Sequence, residues 1–358
     1  MTRFADEISE LPEALGRLVA SCRGEGRGAL DGWAAAAARS SDILFAGMGT
    51  SEFAPLAVRS RLARSGVSVR TIDAGEWLHY GAARPAGAGG GEGTAGAATV
   101  LVSQSGESVE IRRIIDEGLA GDGFAAVTND PGSTLARAAS HVLLLHAGDE
   151  ASISTKTYTN TLAAVHLMAA ALEGARGGRR AAVDAALDEL DAAAGRLLGF
   201  DESEITRAAE HMLPGDAVAF VGRGPANVSA RQCALTYMEG AKCLATPFTG
   251  GAFRHGPFEL AGPELRAVFF LSEGPTRGIT EAMAREAAEL GGRVVLITDA
   301  EISGGGNVAV VRVPAGSGEE IFPLGASGTH AKLLQEFAAA RGVEAGIFRH
   351  GSKVTSKE

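Results

Sequence analysis

Short apolar runs alternate with helix-periodic segments along most of this chain. The runs typical of buried strands lie at 42–46, 67–72, 99–102, 124–128 and 142–146, and then at 217–221, 267–271, 294–298 and 308–313. The segments between them carry apolar residues at helical spacing. Strands that alternate with helices predict an open parallel sheet flanked by helices on both faces. Because the pattern begins again near residue 217, we predict an α/β chain built from two such repeats.

The stretch 99–108, with the sequence TVLVSQSGES, is the most informative strand–helix junction. A serine- and glycine-rich turn at 103–108 ends the strand, and a helix follows from Val109. Such a turn points backbone N–H groups at one spot beside the positive end of the helix dipole, and therefore suits a phosphate. The pattern alone is equally typical of an ordinary turn with a serine N-cap. The side chains that can donate further hydrogen bonds are Ser103, Gln104, Ser105 and Ser108.

A second junction of this kind follows the first strand. The sequence GMGTS at 47–51 adds the hydroxyls of Thr50 and Ser51 to a glycine turn. Ligands of open parallel sheets bind beyond the carboxyl ends of the strands, where both turns are expected. The second repeat has a matching glycine turn at 222–225, but SEGP at 272–275 replaces the serine turn and places Glu273 in the expected anion position. We therefore predict one phosphate site, in the first repeat.

Composition narrows the possible partners. The chain has 358 residues, 46% of them hydrophobic, and a net charge of −10, which disfavours nucleic acid and anionic membranes as partners. No apolar run is long enough to cross a bilayer, and the acidic start lacks signal-peptide character. Three cysteines without metal-ligand spacing fit a reducing cytoplasm. We expect a cytoplasmic protein that needs no metal or other cofactor.

Several blocks of the sequence, in order, resemble the double sugar-isomerase (SIS) family. The blocks are GMGTS, SQSGES, NDPGSTLARAASHVLLLHAGDEASISTKTYT, and the run from VGRGPANVSA through EGAK to FRHGP. That family includes the isomerase half of glucosamine-6-phosphate synthase and stand-alone amino-sugar-phosphate deaminases and deglycases. The resemblance implies N-terminal helices at 1–40, a phosphosugar-binding SIS domain at 41–178, a second SIS domain at 179–345, and a tail at 346–358 that reaches the active site.

The resemblance also assigns residues that bind the substrate. It implies that Ser154, in the STK block, lines the sugar. For Lys156 in the same block, a structural ion pair is at least as good an explanation as a ligand role. The phosphate cradle implied by the motifs consists of Thr50, Ser51, Ser103, Gln104, Ser105 and Ser108; we call these six residues the serine cradle.

Three further residues match the catalytic groups of the family. Glu239 matches the carboxylate that moves a proton between C1 and C2 of the sugar, and His255 the imidazole that opens the ring. Lys353 matches the C-terminal lysine that reaches the open-chain carbonyl. Taken singly, Glu239 is also compatible with an exposed acid, His255 with a structural role and Lys353 with a disordered terminus. In relatives a neighbouring subunit contributes the histidine, so the resemblance implies a homodimer with a shared active site.

Two departures from the synthase shape the expected function. Thr236 stands where the synthase has a second active-site lysine, and Thr2 follows Met1 where a glutaminase would need a cysteine nucleophile. We therefore expect no glutaminase activity, and an isomerase that deaminates glucosamine 6-phosphate to fructose 6-phosphate and ammonia. The alternatives are a fructosamine-6-phosphate deglycase, a simple sugar-phosphate isomerase, or a phosphosugar-binding regulator without catalysis.

Overall fold

The computed structural model describes residues 2–81, 97–151, 153–177, 181–314, 318–350 and residue 353. These residues form two compact units. The first unit contains Glu13–Asp149, Lys156–Ala192 and Lys353, and the second contains residues 2–12, Glu150–Thr155 and Ala193–His350. The short segment Glu150–Thr155 thus belongs to the second unit although the chain on both sides of it belongs to the first. Of the C-terminal tail predicted at 346–358, the structure describes residues 346–350 and residue 353, and the rest of the predicted tail lies outside the described residues.

The first unit is a parallel sheet with flanking helices. Its strands are β1 Asp42–Gly47, β2 Ser68–Asp73, β3 Ala98–Val102, β4 Ala125–Thr128 and β5 His141–Leu144. Its helices are α2 Leu11–Arg23, α3 Arg27–Ala37, α4 Thr50–Phe53, α5 Arg59–Arg64, α6 Ala74–Tyr80, α7 Val109–Asp116, α8 Thr134–Ala138, α9 Lys156–Gly177 and α10 Ala181–Ala194, with a 3-10 helix at Ala54–Val58; α2 begins and α10 ends just outside the unit.

The strands of the first sheet run in the order β2-β1-β3-β4-β5, and all pairs are parallel. From β1 the chain crosses first to β2 on one side and then to β3 on the other. The carboxyl ends of β1 and β3 therefore form the switch point at which open sheets bind ligands. Apolar side chains such as Leu101, Ile111 and Trp77 pack together between sheet and helices, which makes this edge a rigid support.

The second unit repeats this architecture. Its helices are α1 Arg3–Ser9, α11 Glu202–His211, α12 Ala226–Gly240, α13 Gly250–Arg254, α14 Arg277–Glu289, α15 Gly318–Gly325 and α16 Ser327–Ala340, with a 3-10 helix at Pro257–Leu260. Its strands are β6 Ala217–Gly222, β7 Leu244–Thr249, β8 Arg266–Leu271, β9 Arg293–Thr298 and β10 Val308–Arg312. Their order is β10-β9-β8-β6-β7, so β6 and β8 occupy the places of β1 and β3. The predicted doubling of the α/β pattern is confirmed.

Some elements differ from the sequence prediction. The sequence pattern does not predict strand β7, because LATPFT is not continuously apolar and contains Pro247. Proline is compatible with the edge of a sheet, where β7 lies. Helix α9 begins at Lys156. The helical segment that follows the GMGTS turn is divided into α4, a 3-10 turn and α5. In the described part of the chain, no helix is long and apolar enough to span a membrane.

Candidate active site

The two turns of the serine cradle meet at the switch point of the first sheet. A Cβ atom at Gly47 would lie 2.7 Å from Cβ of Ser51 and 2.8 Å from the carbonyl oxygen of Val102, the last residue of β3. Only glycine permits this close approach. Gly49 has a φ of 53° and turns the chain so that Thr50 and Ser51 begin α4, where both are 5% exposed. Both residues are thus shielded from solvent at this turn.

The second turn is held in shape by its own hydroxyls. The hydroxyl oxygen of Ser103 accepts a hydrogen bond from the N–H of Gly106 at 3.1 Å, and that of Ser105 accepts one from Glu107 at 3.2 Å. Gly106 has a φ of 64° and packs so tightly on Ser133 that an added Cβ would lie 2.2 Å from its hydroxyl oxygen. Local and tertiary contacts therefore both fix this turn.

The turn at 129–134 supports the serine turn from behind. The carboxylate of Glu107 accepts hydrogen bonds from the N–H and the hydroxyl of Thr134. The N–H of Thr134 is the main reason why the pKa of Glu107 lies below its usual value. The backbone N–H of Asn129 donates to the carbonyl of Gln104 at 2.9 Å. These bonds join the SQSGES turn to the NDPGST turn.

Ser108 is the cradle residue whose chemistry is most telling. It occupies the N-cap position of α7, yet its side chain does not cap the helix. Its hydroxyl oxygen is shielded from solvent and has no hydrogen-bond partner among the described residues. A buried hydroxyl without a partner costs stability, and such groups concentrate at functional sites. The donor set of hydroxyls and helix N-terminal amides suits a phosphate ester.

The second unit carries Glu239 and Ser154. Glu239 is half-buried near the end of α12, on the same helix face as Gln232 and Thr236, which precede it at helical spacing. The side-chain amide of Gln232, which is 0% exposed, donates to the carbonyl oxygen of Ser154 at 3.3 Å. The structure thus brings the STK block to the helix that carries Glu239. Gln232 was not singled out in the sequence, although its spacing from Glu239 would have placed both on one face.

The remaining residues singled out in the sequence are His255, Lys353, Lys156 and Thr236. His255 follows α13 and is exposed, and within the described chain its side chain makes no hydrogen bond. Lys353 is half-buried and groups with the first unit. Lys156 is buried, and its ammonium donates to the carbonyl oxygen of Asp149 at 2.7 Å, which favours the structural role over the ligand role. Thr236 donates its hydroxyl to the carbonyl of Gln232 at 3.0 Å.

The switch point of the second sheet is occupied by a carboxylate, but it is not the expected one. Glu273 points away toward Arg277, at 3.5 Å. Instead, the side chain of Glu319 reaches the two glycine turns: Cβ atoms built at Gly224 and Gly274 would lie 3.1 Å and 3.2 Å from its carboxyl group. Gly224 has the φ of 53° also found at Gly49, so the two repeats share the turn geometry. The second unit thus has the same kind of turns, but the carboxyl group of Glu319 lies against them.

A profile of the SIS domain matches residues 38–171 and 214–334, the two sheets and most of their helices. The chain belongs to the SIS domain family. In the described residues, no group of three histidine, cysteine or acidic side chains is placed to hold a metal ion. The three cysteines are buried free thiols, and burial raises the pKa of Cys22 to about 11.

Among curated proteins, this SIS chain is similar to glutamine–fructose-6-phosphate aminotransferases (isomerizing). The enzyme of Zymomonas mobilis is 30% identical over 210 residues, which are 57% of this chain and 34% of that protein. The enzyme of Streptococcus pneumoniae is 29% identical over 209 residues, 57% of this chain and 35% of that protein. The chain therefore matches about a third of the length of these relatives.

Solved structures of other proteins share the fold over nearly the whole chain. The C-terminal domain of glucosamine-fructose-6-phosphate aminotransferase from Francisella tularensis superposes with a TM-score of 0.84 at 20% identity, over 97% of this chain and 98% of that one. Glucosamine-6-phosphate deaminase from Thermotoga maritima gives 0.73 at 17% identity, over 99% and 100%. Tagatose-6-phosphate ketose/aldose isomerase from Escherichia coli gives 0.73 at 19%, over 95% and 92%.

Proposed function

We propose that this SIS protein is a phosphosugar aldose–ketose isomerase that deaminates glucosamine 6-phosphate to fructose 6-phosphate and ammonia. The observation that carries the proposal is the serine cradle at the switch point of the first sheet, where the buried hydroxyl of Ser108 has no hydrogen-bond partner within the described chain. A phosphate ester supplies the acceptor that this hydroxyl lacks. The names of the similar proteins, a glutamine–fructose-6-phosphate aminotransferase (isomerizing) and a glucosamine-6-phosphate deaminase, support the same substrate class.

Three residues carry the chemistry in this proposal. His255 moves a proton from the anomeric hydroxyl to the ring oxygen and so opens the ring. Glu239 removes the proton from C2 and delivers it to C1, while one proton of the amino group passes to the oxygen at C1, which turns the amino aldose into a ketimine. Water then adds to C2 and ammonia leaves. Lys353 binds the open-chain oxygen at C1. The net reaction consumes one water and requires no redox cofactor.

A simple sugar-phosphate isomerase or a fructosamine-6-phosphate deglycase is the second candidate. Thr236 supplies no amine beside Glu239, and its hydroxyl donates a hydrogen bond to the backbone of its own helix at 3.0 Å. Without that amine, a ketose phosphate that carries no amino group is also a candidate substrate. The likeness to the tagatose-6-phosphate isomerase fold agrees with this candidate.

We further propose that two copies of the chain share each active site. The exposed His255 and the large exposed apolar side chains Leu244 and Leu260, which are 74% and 66% exposed, support this arrangement. Complementation tests it directly. Glu239→Gln and His255→Ala are each expected to be inactive alone, and mixed after dissociation they should regain activity, because a mixed dimer contains one intact site. Mixtures that stay inactive would argue for sites built within one chain.

The assay of choice measures ammonia and fructose 6-phosphate from glucosamine 6-phosphate. Turnover that is lost in Glu239→Gln, with substrate binding retained, supports the deaminase. Turnover only of a ketose phosphate or of fructosamine 6-phosphate supports the second candidate. Binding without turnover on every substrate, unchanged in Glu239→Gln, identifies a phosphosugar-binding regulator and refutes the enzyme.

A further inference from the structure

Lys242, the lysine of the EGAK block, has an unusual backbone conformation. It follows α12 and has a φ of 54°, one of two non-glycine residues with positive φ in the described chain. A side chain with a Cβ atom is disfavoured in this left-handed region, so a residue other than glycine or asparagine persists there only when its side chain makes compensating contacts.

The side chain of Lys242 makes two such contacts. Its ammonium donates to the carbonyl oxygen of Glu239, in the last turn of α12, and to the carbonyl oxygen of Ile347 at 2.8 Å. The two acceptors are 108 residues apart in the sequence. Ile347 lies after α16 in a segment without helix or strand, and its own side chain is 56% exposed. This segment therefore gains little from apolar packing at Ile347, and the ammonium provides a polar anchor.

The surroundings of Lys242 contain charges of both signs. Burial and the nearby positive charge of Arg349 lower the pKa of Lys242, whereas the negative charge of Glu239 raises it. Lys242 thus acts on Glu239 in two ways. Its hydrogen bond holds the backbone of Glu239, and its charge favours the ionised carboxylate.

We propose that Lys242 is a positioning residue that fastens the segment around Ile347 to the end of α12 and so orders two parts of the site at once. One part is the helix turn that carries Glu239. The other is the described segment around Ile347, which precedes Lys353 by six positions in the sequence. The effect on catalysis rests on the proposed function, whereas the fastening of the segment does not.

Hydrogen exchange of the full-length protein tests the fastening without a substrate. Lys242→Met removes the ammonium but keeps the aliphatic chain. Lys242→Gly removes the whole side chain and also the steric cost of the positive φ. Amides within 343–350 should exchange about tenfold faster in both variants. Lys242→Arg should restore slow exchange. Lys332→Met, which removes a lysine that pairs with Glu336 on α16, should leave this segment unchanged. Unchanged exchange in Lys242→Met and Lys242→Gly would overturn the proposal.

Kinetics then separate a positioning role from a purely structural one. With the substrate that the protein turns over, Lys242→Met should lower kcat about tenfold or more and leave KM within about twofold, because the serine cradle is intact. The acid limb of the pH profile should move to higher pH, since a positive charge beside Glu239 is lost. Faster exchange with an unaltered pH profile would restrict Lys242 to anchoring the tail. Faster exchange in a protein that turns over no substrate would refute the proposed function and leave the anchoring role standing.

Discussion

The side-chain amide of Gln232 donates a hydrogen bond to the carbonyl oxygen of Ser154, although the two residues are 78 positions apart. Gln232 is fully buried on α12, and Ser154 lies in the short segment that joins the second unit between two stretches of the first. This bond places the predicted sugar-lining serine beside the helix that carries Glu239. One amide thereby orders two parts of the candidate site.

Loss of this amide should affect stability and the site together. Gln232→Leu leaves the carbonyl of Ser154 without this donor, so we expect a loss of about 1–3 kcal/mol in the free energy of unfolding. Denaturant titration measures it. Arg231→Leu, one position earlier on the same helix, should cost less because Arg231 is only half-buried. Equal losses in the two variants would contradict the special role of Gln232.

Ser108→Ala should weaken phosphate binding without weakening the fold. The hydroxyl has no partner among the described residues, so its removal should change the free energy of unfolding by less than about 0.5 kcal/mol. Binding of inorganic phosphate or a sugar phosphate, measured by calorimetry, should fall about tenfold. Ser133→Ala is the matched control. It removes the N-cap of α8 and should cost about 1 kcal/mol of stability. Unchanged phosphate affinity in Ser108→Ala would remove Ser108 from the cradle.

Glu319 should matter to the second unit as a structural acid. Its carboxyl group lies against the turns at Gly224 and Gly274, so Glu319→Ala should lower the free energy of unfolding by about 1–2 kcal/mol. Glu289→Ala, an exposed acid on α14, should change it by less than about 0.5 kcal/mol. The wild-type chain should bind one phosphate group, because this carboxylate fills the second switch point. Two equivalent phosphate sites per wild-type chain would contradict this assignment.

His330 should make the protein sensitive to acid. Burial on α16 lowers its pKa to about 3, whereas an unfolded histidine titrates near 6.5. Between these values the unfolded chain binds a proton that the folded chain does not. Stability should therefore fall as pH drops below about 6.5, with a slope of up to about 1.4 kcal/mol per pH unit. His330→Gln should remove this part of the slope, and His350→Gln, at an exposed site, should keep it. Identical slopes in both variants would exclude His330.

The pattern of apolar and polar residues was sufficient for much of the fold. Every predicted strand is present in the two sheets. The inner strands β3, β4, β8 and β9 are almost entirely buried, so they leave continuous apolar runs that are visible in the sequence. The turns at 47–51 and 103–108 were also recognised locally, since glycine at a positive φ and closely spaced hydroxyls are properties of the turn itself. Strand β7 is not predicted from the sequence, because an edge strand that contains Pro247 lacks a continuous apolar run.

Tertiary structure alone decided which side chains meet. Glu273 lies in the turn of the second repeat that corresponds to the serine turn, and it pairs with Arg277. The carboxyl group at the switch point is instead that of Glu319, from helix α15. The contacts of Gln232 with Ser154 and of Lys242 with Ile347 likewise join residues far apart in the chain. No local periodicity encodes such pairs, because strand order and helix packing bring them together. The sequence by itself determined the strands, the turns and the doubled α/β design, and the packed chain determined which acid, amide and lysine complete them.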